Sequence, residues 1–132
     1  MKEVPNSLRR WFVVHFAVDM LVGIPLLLFP EFIMPLLGWK TIDPISSRVV
    51  GAALLGIGIE SYLGRNASSD VFHAMLNLKV IWSSSAIFGI GLGIWKGGSQ
   101  SGWLFLRIFV IFWCIWIYYW AQFRKVKTSD QV

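Results

Sequence analysis

Long apolar runs separated by short polar breaks dominate the chain. The first run covers Trp11–Phe29 and is opened by Arg9 and Arg10. The second covers Ile45–Leu63 and is closed by Gly64 and Arg65, and the third covers Val71–Trp95 and is closed by Lys96 and Gly97. The fourth covers Trp103–Ala121 and is closed by Arg124, Lys125 and Lys127. Each is close to the roughly 20 residues that an α-helix needs to cross about 30 Å of hydrocarbon, at about 1.5 Å per residue. The runs are continuous, unlike the short alternating segments of a membrane barrel. The pattern predicts an all-α integral membrane protein: a single-domain, four-transmembrane-helix bundle with helices over about 11–29, 45–64, 71–95 and 103–122.

The stretch Phe29–Trp39 is too short and too broken to span. Pro25 lacks an N–H and is expected to kink or end the first helix. Pro30 and Pro35 follow, so a short interfacial segment is expected over about 30–39, with Glu31, Trp39 and Lys40 at headgroup depth. A re-entrant dip is the alternative reading of the same Pro and Gly content. The basic opening of the first run resembles a signal peptide, but no A-x-A-like cleavage site follows, so a retained helix is expected.

Composition agrees. Hydrophobic residues make up 56% of the 132 and charged residues 14%, against roughly 45–50% and about 25% in ordinary soluble domains. Mean hydropathy is +0.64, and there are 8 Trp and 10 Phe. A soluble domain of this size leaves roughly 40% of its chain surface exposed and could not hide so much apolar area. The net charge of +5 does not indicate nucleic acid, because the bases flank apolar runs and form no basic face. The single Cys114 excludes an internal disulfide and reads as a packing residue.

Charge also sets an expected topology. Four spans put both termini and the segment near Arg65 on one side. That side collects Lys2, Arg9, Arg10, Arg65, Arg124, Lys125 and Lys127, whereas Lys40, Arg48 and Lys96 fall on the other, joined by Arg107 if it snorkels outward. The positive-inside rule then places both termini in the cytoplasm, most naturally of a prokaryotic cytoplasmic membrane. Asn66-Ala67-Ser68 matches a glycosylation acceptor but falls on the cytoplasmic side and reads as a chance match.

Ionisable groups inside apolar spans are costly and are functional candidates by default. The ligand- or ion-binding candidates are His15 and Asp19 in the first run, Glu60 in the second, and Asn77 and Lys79 in the third. His73 and Arg107 are weaker candidates. His15 and Asp19 are spaced i,i+4 and share a helix face. Ala52, Gly56, Glu60 and Gly64 repeat every four residues, a small-residue stripe of the type that admits a neighbouring helix. Lys79 lies with Ser83, Ala86, Gly93 and Gly97. The expectation is that Asp19, Glu60 and Lys79 share one interior, with two acids against one base plus His15. On the same reasoning His73, Asn77 and Ser84 face a second protomer or the headgroups, and the aromatics of the fourth run are mainly lipid-facing bulk.

No HExxH, P-loop, dinucleotide-binding or GxSxG motif is present, and no cofactor or metal is expected. His15 and His73 stand singly on different runs, which is a weak basis for a bundle cofactor site. The pattern fits a small ion- or proton-coupled transporter or channel-like protein. It also fits a non-catalytic subunit binding lipid or a partner, and less well a membrane enzyme acting on a lipid with His15 and Asp19 as acid–base pair. Expected partners are the bilayer, a second copy of the chain in a homo-oligomer, and a small cation, proton or lipid-like ligand.

Overall fold

The computed structural model describes residues 3–129, with side chains described as far as Arg124. Lys2 and the side chains of Lys125 and Lys127, which enter the charge count, lie outside the described residues. The described residues form helices joined by short turns, with no strand among them. In order these are α1 (Asn6–Leu28), α2 (Pro30–Leu36), α3 (Pro44–Leu63), a 3-10 turn (Gly64–Asn66), α4 (Ser69–Trp95) and α5 (Gly102–Ser129).

Three described helices are long and apolar enough to cross a membrane: α1, α4 and the Gly102–Arg124 part of α5. The helix α3 is 20 residues long but carries Arg48 and Glu60 near its ends, and it is not among the three.

Local sequence explains the helix limits. α1 runs through Pro25 to Leu28 without ending there, so the expected break falls later. A proline costs a spanning helix one hydrogen bond, which such helices tolerate. Pro30 then stops α1 and opens α2 at its first position, where a missing N–H costs nothing. Gly38 and Gly97, with φ of 83° and 86°, turn the chain out of α2 and α4 in the left-handed region. Asp43 caps α3: its side chain accepts from the Ile45 N–H at 3.0 Å, and Pro44 follows. α5 continues to Ser129. At about 1.5 Å per residue it exceeds the hydrocarbon thickness, so its basic end leaves the apolar zone if the helix spans.

The chain divides into two compact units. One comprises Asn6–Asn66 and is built on α1 and α3. The other is built on α4 and α5. In the first unit α1 and α3 run antiparallel. Gly23 lies against Gly51, Asp19 against Gly58, and Arg9 Nη1 donates to the Arg65 carbonyl at 2.7 Å. The buried stripe of α1 is Leu8, Phe12, His15, Asp19, Gly23 and Leu26. That of α3 is Ser47, Gly51, Leu54, Gly58 and Ser61. Both follow the alternating three- and four-residue spacing of a shallow helix–helix seam.

This seam is very close. A Cβ on Gly51 would stand 2.7 Å from the Leu27 nitrogen and 2.8 Å from the Gly23 oxygen. Only glycine lets the two backbones meet there.

In the second unit α4 and α5 are also antiparallel. Pairs run from His73 with Phe123 through Asn77 with Trp120 and Ser84 with Trp113 to Ile94 against Gly102. Here the seam is filled by rings. Phe112, Trp116, Tyr119 and Phe123 are buried on α5, facing a stripe of Phe72, Met75, Leu76, Lys79 and Ser83 on α4.

Candidate functional site

The structure sorts the candidate residues by helix face. In the first unit His15 and Asp19 are one turn apart on the buried stripe of α1. His15 Nδ1 lies 3.0 Å from Asp19 Oδ2, with side-chain exposures of 7% and 6%. The approach is close, although the geometry at Oδ2 does not make a hydrogen bond. Gly58 provides the room: a Cβ at that position would stand 2.6 Å from Asp19 Cβ and 3.1 Å from Oδ2. Ser61, one turn further along α3, is fully buried and turns its hydroxyl back onto the Ile57 carbonyl at 2.7 Å. A buried carboxyl is thus held between two apolar helices by a His on its own helix and a Gly on the other.

Glu60 does not join this pair. It is exposed, as are Ala52 and Gly56, and a Cβ on Gly56 would meet nothing. The four-residue stripe expected to pack α3 is therefore not its contact face with α1. That face is rotated onto Gly51, Leu54 and Gly58. α3 carries small residues around much of its circumference, and shape complementarity to α1 selects among them.

In the second unit Lys79 is buried, 2% exposed, with its ammonium 5.1 Å from the centre of the Trp116 ring. A cation over an indole face is attracted by the ring quadrupole, more strongly where water is excluded. Trp120 Nε1–H donates to Asn77 Oδ1 at 2.6 Å, and Trp113 Nε1–H donates to Ser84 Oγ at 2.9 Å. The His73 ring lies 6.3 Å from that of Phe123. His73, Asn77 and Ser84 thus make contacts with α5. Three α5 tryptophans expected to be lipid-facing bulk engage the polar row of α4 instead. The reason is chemical: an indole carries a large apolar body and one N–H, so it fills a wide seam and satisfies an amide or hydroxyl in it. Arg107 is exposed, and so is Cys114, which is not the packing residue expected.

Each end of the first unit has its own polar cluster. At the end holding the start of α1 and the finish of α3, Arg9 reaches the Arg65 carbonyl. Arg65 lies 3.8 Å over the Tyr62 ring and donates to the Tyr62 carbonyl at 2.6 Å. At the opposite end Arg48 pairs with Glu31 at 2.8 Å. The Glu31 carboxyl is held below its ordinary value by its own backbone N–H and then by Arg48. Asp43 is likewise lowered, by the Ser46 hydroxyl and then the Ile45 N–H. These two carboxylates were not among the sequence candidates. The Asp-Pro pair opening the second run was the available signal for the cap.

Among the described residues no three His, Cys, Asp or Glu side chains are grouped to hold a metal ion. Comparison with protein-family models, with curated proteins and with solved structures finds no match.

Proposed function

We propose that the chain is a non-catalytic, four-span subunit of a prokaryotic cytoplasmic membrane, with both termini cytoplasmic, that works by associating with lipid or with a partner in the bilayer. The observation that carries this reading is the pairing of the buried polar groups within their own hairpins. His15 meets Asp19 beside Gly58, Asn77 meets Trp120, and Lys79 lies over Trp116. Asn77–Trp120 and Lys79–Trp116 join α4 to α5, whereas His15 and Asp19 meet within α1, and buried polar groups already partnered in the fold support a structural role. The fourth span is supported by the antiparallel course of α3 along α1 from Gly51 to Arg65. If α1 crosses the hydrocarbon, α3 lies at the same depths beside it. The gathering of Arg9, Arg10 and Arg65 toward one end of this hairpin favours that end for the cytoplasm.

A second reading, a proton- or cation-coupled transporter, is favoured by one detail: Asp19 Oδ2 is buried and makes no hydrogen bond. A buried acceptor that no donor meets is a place for a small cation.

One experiment separates the two. Wild type and Asp19→Asn are reconstituted into vesicles for proton and cation flux, and their melting midpoints are measured in detergent. The subunit reading expects no flux above protein-free vesicles and a lowered midpoint for Asp19→Asn. It also expects His15→Gln and the double variant to fall no further than Asp19→Asn, because paired residues are non-additive. Wild-type flux that Asp19→Asn abolishes at an unchanged midpoint would overturn it in favour of the transporter.

A further inference from the structure

The start of α1 carries a groove of about 370 Å³ lined by Asn6, Ser7, Arg10, Trp11 and Val14. We propose that this groove holds one anionic phospholipid, with its phosphate on Arg10 and the head of an acyl chain along Trp11 and Val14. The proposal rests on α1 spanning a membrane and gives the lipid association proposed above a site.

The order of chemistry along the groove matches a lipid at the edge of a leaflet. Asn6 and Ser7 are polar, Arg10 is cationic, Trp11 is amphipathic and Val14 is apolar, all on one side of the first three turns. Trp11 opens the apolar run, so Arg10 stands at the boundary where lipid phosphates lie. The two neighbouring arginines differ in their commitments. Arg9 turns toward α3 and donates to the Arg65 carbonyl. Arg10 is exposed and makes no hydrogen bond or ion pair among the described residues. A guanidinium offers a planar fork of donors that suits phosphate geometry. The first turn of α1 contains no acidic residue, so no carboxylate of that turn competes for Arg10.

The test is native mass spectrometry of the detergent-solubilised full chain, titrated with phosphatidylglycerol and with phosphatidylcholine. Wild type should retain phosphatidylglycerol with about tenfold preference, the size of one charge-assisted hydrogen-bonded contact. Arg10→Gln should lose that preference, and Arg10→Lys should keep part of it. Val14→Trp fills the groove while leaving the charge in place and should also reduce retention, which keeps the test decisive if Arg10→Gln fails to fold. Equal retention of both lipids by wild type, or an undiminished preference in Arg10→Gln, would overturn the proposal. Displacement of the lipid by inorganic phosphate would do so too, by making the site one for a free anion. Dimerisation through Val14 without lipid retention would assign the groove to a second copy. Recovery of the wild-type chain from the soluble fraction would instead refute the membrane placement itself.

Discussion

The two helical hairpins solve one problem by opposite means. Each joins a pair of long apolar helices, and a hairpin placed in a bilayer cannot rely on the hydrophobic effect, because lipid tails are as apolar as leucine. The α1–α3 hairpin gains its contacts by shrinking the side chains at the seam. Gly23, Gly51 and Gly58 let backbone meet backbone, and the one ionisable pair in the seam, His15 with Asp19, fits because Gly58 leaves room. The α4–α5 hairpin gains its contacts by enlarging them. Trp113, Trp116 and Trp120 span the wider gap, and their N–H groups or ring faces answer Ser84, Asn77 and Lys79. Dispersion supplies both seams. A glycine seam tolerates no added atom, whereas a tryptophan seam tolerates no lost ring.

The largest expected break follows from that contrast. Trp116→Ala removes a fully buried indole and should cost about 3–5 kcal/mol in detergent unfolding, the range for large-to-small aromatic changes. Trp116→Phe should cost clearly less. Equal losses for the two variants would mean that ring volume is not what fills the seam.

Next in size is Gly51→Ala, whose new Cβ would press on the backbone of Leu27 and Gly23. Overpacking of this kind should cost about 1–3 kcal/mol, since backbone atoms cannot step aside. Gly56→Ala and Gly91→Ala, where a Cβ meets nothing, should instead be neutral or gain up to about 1 kcal/mol from helix propensity. If all three alanine variants melt alike, the close approach is absent.

Asn77→Leu should cost about 0.6–1.7 kcal/mol, the measured span for interhelical hydrogen bonds in membranes. Paired with Trp120→Phe it should cost little more than either change alone. Additive losses would show that the 2.6 Å bond contributes no coupling.

The smallest effect concerns pH. Glu31 and Asp43 have folded values lowered from 4.5 and 3.8. Their contribution is therefore complete above the ordinary carboxylate range and is lost as pH falls through the lowered values. The protection factor of the Ile45 amide, which removes the intrinsic pH dependence of exchange, should fall on acidification below that range and stay constant near neutrality. Asp43→Ala should remove the acid dependence of protection at the start of α3.

Much of this was written in the sequence. Helix existence followed from four uninterrupted apolar runs. The break after α1 followed from the proline-rich stretch, though it falls at Pro30 and not at Pro25, and the break after α4 followed from Gly97. The adjacency of His15 and Asp19 followed from i,i+4 spacing, since both residues belong to one helix and local geometry alone joins them.

What sequence could not decide is which face of each helix meets its neighbour. α3 offers small residues at 52 and 56 and again at 51 and 58. Both sets satisfy the rule for close packing, and only the facing surface of α1 distinguishes them. The 52 and 56 set predicts an interior Glu60, whereas Glu60 lies exposed. On α4 the polar row at 77 and 84 reads in the sequence as an outward face, whereas the indoles of α5 bond to it. Periodicity is a property of one helix, whereas burial is a property of two. The chain by itself therefore determined its helices, its apolar character and its local pairs, and tertiary packing alone decided which polar groups those helices enclose.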